Sequence, residues 1–250
     1  MGFDILHRDG RVLHADPNAR SLRDAVRSAL EARRDLAGAQ LAGVDLSRCD
    51  LTDACFTDAN LAGAKLDASD LEAVDLSRAD LTGASLRGSN LENVHFVAAI
   101  LDAAVLTGSN LEHTDWRGAR LSGAQLLRVD LERSILESVI AEGASFARSN
   151  LERCNFRNAR LSRADLSACN VERSDLRNAD LTAASFAACN LERADLRRAN
   201  CAGASFVEAN LERVDVDEAN FEGAKLDHAN LDNLRGTPAS GRALAMGPYR

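Results

Sequence analysis

Residues 79–90 read ADLTGASLRGSN, and the spacing inside this stretch decides the fold. Leu81 and Leu86 stand five apart, each preceded two places earlier by a small residue, Ala79 or Ala84, with polar residues and glycine between. A separation of two between inward-facing residues marks a short extended segment with one buried face. A helix would need apolar residues at separations of three and four, which the stretch lacks. Stepping by five from Leu36 to Leu231 reaches forty positions without an insertion, nearly all Leu or Phe; the exceptions are Trp116, Ala141, Val171, Cys201 and Val216. Only 4% of the residues are aromatic, which argues against an ordinary globular core and for a repeat architecture.

The small position carries a longer period. Sorted by every fourth copy, it gives one column headed by Val44 and continued by Ala from Ala64 to Ala224, and a second of Ala from Ala39 to Ala219, broken by Val139. A third holds Cys49, Ser69, Ser89, Ser109, Val129, Ser149, Cys169 and Cys189, and a fourth is mixed around Val74, Val94, Thr114, Ser134, Cys154 and Ser174. Four kinds of column imply four sides to a coil of twenty residues, each side stacked on its equivalent at about 4.8 Å. Residues 36–234 then form an all-β solenoid of about ten coils, roughly 48 Å long. Side chains fill the axis of such a rod, so no internal ligand cavity is expected.

The runs ADLTGASL, ANLAGAKL, NADLTAASF and EANFEGAKL resemble the pentapeptide-repeat family, whose motif is written A(D/N)LXX. The resemblance implies a right-handed quadrilateral β-helix with the Leu or Phe and the preceding small residue inward. It also implies a protein-binding function. The best-understood members imitate duplex DNA by shape and acidic surface and bind a type II topoisomerase, DNA gyrase or topoisomerase IV, which they inhibit or protect from quinolones. A structural or protein-interaction scaffold without topoisomerase activity is the alternative.

The ends differ from the repeat. Residues 1–35 read as a β-hairpin, with Asp9–Gly10 as a two-residue turn between Ile5–Leu6 and Val12–Leu13, followed by a helix from the capping box Ser21/Asp24 to about Arg34. This segment is expected to cap the first coil; a separate functional module is the other reading. The tail, residues 235–250, contains Leu244, Met246 and Tyr249 among Gly and Pro. Either it covers the last coil or a second copy does, giving a homodimer through the C-terminal coils.

Chemistry is sparse. Of six cysteines, Cys49, Cys154, Cys169 and Cys189 fall at the inward small position, Cys201 at a Leu position and Cys55 outward, without a CxxC. They read as small hydrophobes in a reducing compartment, although Cys169 and Cys189 stack in adjacent coils. The five histidines lack metal-ligand spacing, and no nucleophile–base constellation or phosphate loop is present. No enzyme activity, metal or cofactor is expected. The chain holds no apolar run of membrane-spanning length, and MGFDILHRDG lacks the apolar stretch of a signal peptide, so the reading is a soluble, cytoplasmic protein without a membrane partner.

Charge gives the candidate surface. Residues 36–116 carry four basic and thirteen acidic residues, residues 117–200 fourteen and eleven, and residues 201–234 two and eight. The acidic balance and the lack of a basic-aromatic surface disfavour direct nucleic-acid binding. One column holds Glu72, Glu92, Glu112, Glu132, Glu152, Glu172, Glu192, Glu212 and Asp232. Carboxylates stacked about 5 Å apart repel by roughly 1 kcal/mol per pair before screening. Arg133, Arg153, Arg173, Arg193 and Arg213 adjoin the later ones; Ala73, Asn93 and His113 adjoin the earlier ones. Asp50, Asp53, Asp70, Glu72, Glu92 and Glu112 are therefore the candidate partner-binding residues, set out like a row of phosphates. A second candidate is an apolar patch of Val97, Ile100, Val105, Leu127, Ile135 and Ile140 at outward places near Ala141. Its alternative is a distorted turn.

Overall fold

A computed structural model describes residues 2–240. From Gln40↔Asn60 to Asn220↔Ser240, every fifth residue makes a single parallel bridge to the residue twenty places on. Each side of the coil is thus pinned by one-residue bridges rather than by strands of ordinary length. No position is skipped around Ala141: Arg120↔Ile140 and Ile140↔Arg160 keep the register, and Ala141 is buried. The expectation of a distorted turn there is wrong, because a shorter side chain leaves the backbone pairing untouched.

The repeat is explained by where its backbone N–H groups go. In the copy beginning at Leu81, the Leu81 N–H donates to Ile100 O in the next coil (2.7 Å) and the Gly83 N–H to Asp102 O (2.9 Å). The Ala84 N–H closes a turn on Leu81 O (2.9 Å), and the Ser85 N–H donates to Ala64 O in the preceding coil (2.9 Å). Only the Thr82 N–H is left, and it donates to the side-chain Oδ1 of Asp80 (2.9 Å). All five donors are satisfied, as burial of a backbone requires. Where Asp or Asn precedes the Leu position, its side chain is therefore an acceptor for the one N–H the ladder does not use, an Asx turn that recurs along the rod. The same bond recurs from Thr52 to Asp50, from Glu92 to Asn90 and from Glu172 to Asn170.

Every turn has the same geometry. The residue two after each Leu position, from Gly38 to Asn233, has φ between 54° and 74°, the left-handed value that the third residue of a type II turn requires. Glycines sit at such corners, as the sequence suggested, but most of these residues are not glycine. Arg133, Arg153, Arg173, Arg193 and Arg213 are among them. A non-glycine residue there costs roughly 1–2 kcal/mol, which the three or more hydrogen bonds closing each side offset.

Inside, every Leu position from Leu36 to Phe221 is buried, while Leu226 and Leu231 in the last coil are only partly covered. Phe96 and Trp116 stack in successive coils, ring centroids 4.0 Å apart, and the Trp116 indole N–H donates to Thr114 Oγ1 (2.6 Å). The inward polar column also has work. Ser69, Ser89 and Ser109 donate to the carbonyls of Leu46, Leu66 and Leu86 at 2.8, 2.7 and 2.6 Å. Cys169 and Cys189 make the same bond to Phe146 O and Leu166 O. These thiols replace hydroxyls at the corner between two sides.

At the N-terminal end, β1 (Phe3–Leu6) pairs antiparallel with β2 (Val12–Asp16). Their connection differs from expectation. Gly10 N donates to His7 O and His7 N to Arg11 O, with Gly10 at φ +90°. Arg8, Asp9 and Gly10 thus form a three-residue loop, a turn followed by a glycine bulge, in place of a two-residue Asp9–Gly10 turn. Helix α1 (Leu22–Glu31) starts where expected, with Ser21 Oγ accepting the Asp24 N–H at 3.1 Å. It ends before Arg34 because Arg33 turns left-handed (φ 51°), and Arg33 and Arg34 donate back to Leu30 O and Ala29 O. Ala25, Val26 and Ala29 are its buried face. The hairpin meets the first coil through an antiparallel His7↔Ala39 bridge and the Gln40 N–H to Leu6 O bond (2.8 Å). The expected roles of Leu244, Met246 and Tyr249 lie outside the described residues.

Candidate protein-interaction surface

The coil places all six candidate carboxylates on the side built on Leu51, Leu71, Leu91 and Leu111. Asp50 and Asp70 are bridge partners in the column before these leucines, Glu72, Glu92 and Glu112 occupy the column after them, and Asp53 sits at the following corner. The backbone fixes their roots. Asp70 Oδ1 accepts from the Glu72 N–H (3.2 Å) and from Asn90 Nδ2 (3.0 Å), and Asn110 Oδ1 accepts from the Glu112 N–H (3.1 Å). Thr52 donates to Asp50 from both its hydroxyl and its backbone, holding that carboxyl below the usual range.

Among the described residues, none of the six carboxylates has a cation within 4 Å. Arg27 and Arg48 share a surface groove with Asp50, and Arg33 and Arg34 share one with Asp53, so positive charge is closest at the first coil. Four carboxylates, Asp70, Glu72, Glu92 and Glu112, stand beyond it. From Asp50 to Glu112 is three coil spacings, about 14 Å at 4.8 Å each. Six charges on four coils give one per about 3.2 Å, against one per about 1.7 Å of axis for duplex DNA.

Further along the same side the charge is cancelled. Arg153 lies 3.5 Å from both Glu132 and Glu152, Arg173 3.7 and 3.3 Å from Glu152 and Glu172, and Arg213 3.7 and 3.6 Å from Glu192 and Glu212. Each of these arginines bridges two coils, as the sequence spacing suggested. The guanidiniums are about 40% exposed, so each pair contributes little alone.

Beneath this ladder runs a second one that the sequence reading missed. Asn170, Asn190, Asn210 and Asn230 each donate from Nδ2 to the Oδ1 of the asparagine one coil before, at 3.3, 3.3, 3.0 and 3.0 Å. The recurrence of Asn every twenty residues was the available signal.

The aliphatic residues are distributed over three sides. Ile100 and Ile140 share a column with Arg120 between them, Val105 and Leu127 flank the Leu106 and Leu126 side, and Val97 and Ile135 flank the Phe96 and Leu136 side. Ile135 is the most exposed, at 38%. Arg120 is itself held by Asp102 at 2.5 Å.

The described residues contain no group of three His, Cys, Asp or Glu side chains placed to hold a metal ion, and no helix long and apolar enough to cross a membrane. Residues 35–66, 54–93, 99–137 and 204–235 match the family described as pentapeptide repeats (8 copies), and residues 129–206 match the pentapeptide repeat region. The chain belongs to the pentapeptide-repeat family. Members of this family form right-handed quadrilateral β-helices and are generally non-enzymatic. Among solved structures, the chain is similar to HetL, a pentapeptide repeat protein involved in heterocyst differentiation regulation from the cyanobacterium Nostoc sp. strain PCC 7120. The two are 29% identical over 84% of this chain and 93% of HetL, with a TM-score of 0.51. It is also similar to QnrB1, a plasmid-mediated fluoroquinolone resistance protein, at 16% identity over 80% of this chain and 97% of that one, with a TM-score of 0.48. No curated protein matches.

Proposed function

We propose that this pentapeptide-repeat protein is a non-enzymatic, cytoplasmic binding protein: a rod of ten coils, capped by the N-terminal hairpin and helix, whose acidic side docks a basic groove of a protein partner. One observation carries the reading. Asp50, Asp53, Asp70, Glu72, Glu92 and Glu112 share one side with no cation within 4 Å among the described residues, while the same column beyond Glu132 is laced with arginine. A rod that needed its glutamates only for solubility has no reason to neutralise one half and leave the other bare. A groove that binds DNA phosphates presents arginine and lysine at a matching density, and steering by such fields raises association rates. The specific partner proposed is therefore a type II topoisomerase, DNA gyrase or topoisomerase IV, with the acidic side in place of duplex DNA. Direct nucleic-acid binding is disfavoured by the same charge. The description of HetL as involved in regulation supports a role through binding.

A supercoiling assay with and without a fluoroquinolone tests the topoisomerase reading. Inhibition or protection by the native protein, lost in Glu72→Gln/Glu92→Gln/Glu112→Gln, is expected. No effect at excess protein would remove the topoisomerase and leave a scaffold, the reading favoured by the self-neutralised ladder from Glu132 to Arg213. We also propose a homodimer through the C-terminal coils, in which a second copy covers the partly exposed Leu226 and Leu231; a single-chain mass by light scattering at micromolar concentration would exclude it.

A further inference from the structure

On the side built on Phe156, Leu176 and Leu196, three arginines follow one another in a column: Arg157, Arg177 and Arg197. Two are clamped. Arg177 reaches Asp175 in its own copy (2.5 Å) and Asp195 one coil on (3.5 Å), and Arg197 reaches Asp195 (2.5 Å) and Asp215 (3.8 Å). Arg117, earlier in the column, is likewise clamped by Asp115 at 2.5 Å. At Arg157 the corresponding place holds Asn155, whose Oδ1 is used by the Arg157 backbone N–H at 3.1 Å.

Arg157 therefore has no carboxylate within 4 Å among the described residues, and its Nε is buried without a hydrogen-bond acceptor. An unpaired buried donor is a standing cost, larger for a charged group, and is uncommon enough in a folded protein to require a reason. The side chain lines a surface groove of about 270 Å³ together with Arg177, Asn178, Arg197, Arg198 and Asp217. Arg198 is paired with Glu218 at 2.7 Å, and Asp217 accepts the Thr237 N–H at 3.2 Å. Asp217 keeps its charge, and Arg157 is the one arginine of the groove without a carboxylate within 4 Å among the described residues.

We propose that this groove is a binding site for a carboxylate supplied by a partner protein, an Asp or Glu side chain that takes the place Asp175 and Asp195 occupy beside the next two arginines. A planar, forked guanidinium matches a carboxylate in two parallel bonds, and on binding the half-buried Arg157 side chain turns its Nε–H outward to make them. A single unpaired fork suits one carboxylate. The site lies on a different side from the acidic surface and stands whether or not a topoisomerase is the partner.

The test uses the whole chain, 15N-labelled, with the arginine Nε–H signals followed by NMR during titration with an acetylated, amidated tetraglutamate peptide and, separately, inorganic phosphate. Saturable movement of the Arg157 Nε–H with the peptide is expected. Arg157→Gln should weaken binding at least ten-fold. Asn155→Asp should do the same by supplying the missing internal carboxylate, and its unchanged amide spectrum elsewhere serves as the folding control. No saturable shift, or binding by Asn155→Asp equal to the native protein, overturns the proposal. Tighter binding of phosphate than of the peptide assigns the groove to phosphate and overturns the carboxylate.

Discussion

Replacing Asn170 separates the two jobs the asparagine column performs. Its Oδ1 accepts from the Glu172 N–H and from Asn190 Nδ2, both at 3.3 Å, and its Nδ2 donates to Asn150 Oδ1 at 3.3 Å and to Glu152 Oε2 at 3.5 Å. Asn170→Ala removes all four bonds and leaves the parallel bridges of the backbone in place. A net hydrogen bond is worth about 0.5–1.5 kcal/mol, and these are long and half-buried, so the low end applies and the loss should be about 2 kcal/mol. Asn170→Asp keeps both accepted bonds and loses the two donated ones. It also sets a new carboxylate beside Glu152 and Glu172, adding roughly 1 kcal/mol of repulsion that salt screens. Asp130 already occupies this column and accepts both the Glu132 N–H and Asn150 Nδ2, so the substitution is compatible with the coil. Urea unfolding followed by circular dichroism and by Trp116 fluorescence gives the two differences, and coincidence of the probes checks that the repeat array unfolds in one step. The Ala variant should be destabilised equally in low and high salt, and the Asp variant should recover in high salt. If Asn170→Ala matches the native protein, the Asx turn and the ladder contribute nothing and the account of the D/N position is wrong.

Other outcomes follow from the corners, the carboxylates and the thiols. Gly83→Ala should cost about 1 kcal/mol for the left-handed backbone alone, since a Cβ there meets nothing within 4 Å, whereas Gly38→Ala should cost more because its Cβ would fall 2.3 Å from the His7 ring; urea midpoints compare them. Burial pushes the carboxyls of Asp115 and Asp195 up, but hydrogen bonds from Arg117 and Arg197 outweigh it and hold both below the usual range. Their stabilisation is complete above the unfolded-state value of about 3.9 and is lost as pH falls through the lower folded value, so thermal unfolding should soften below about pH 4, and less steeply in Arg117→Gln. Burial pushes the Cys154 and Cys201 thiols well up, so alkylation of the folded protein read by mass spectrometry should mark half-exposed Cys55 first and leave these two intact.

The positions of the Leu columns were legible because a core place tolerates only apolar residues, and twenty-residue memory followed from the inward small residues alone. The Glu–Arg ladder was legible for a similar reason: like charges stacked every coil need a counter-charge, and Arg153 and Arg173 stand where one is needed. What stayed hidden depends on backbone donors that no side-chain pattern displays. The Asp or Asn before many of the Leu positions looks merely polar until the Thr82 N–H is seen to have no other acceptor. The end of α1 was missed because Arg33 takes the left-handed turn that glycine usually announces, and the same substitution of arginine for glycine recurs at the solenoid corners. Arg157 was hidden because a missing partner shows only when Asn155 is set beside Asp175 and Asp195. The six acidic residues came together on one side as the column arithmetic required. The aliphatic ones came from several columns, so nearness in sequence did not become nearness in space.

The unbroken register of bridges from Gln40 to Ser240 turns distance along the chain into direction. Twenty residues move a side chain up the rod without changing its bearing, and five rotate it by a quarter turn. Removing one pentapeptide between Glu112 and Glu132 would still stack large inward residues on large ones, yet swing the arginine-laced half away from the bare acidic half. Removing four would merely shorten the rod. The angle between any two surface features is thus set by a count of repeats, independent of their chemistry, and a partner that reads two sides at once constrains the length of the segment between them.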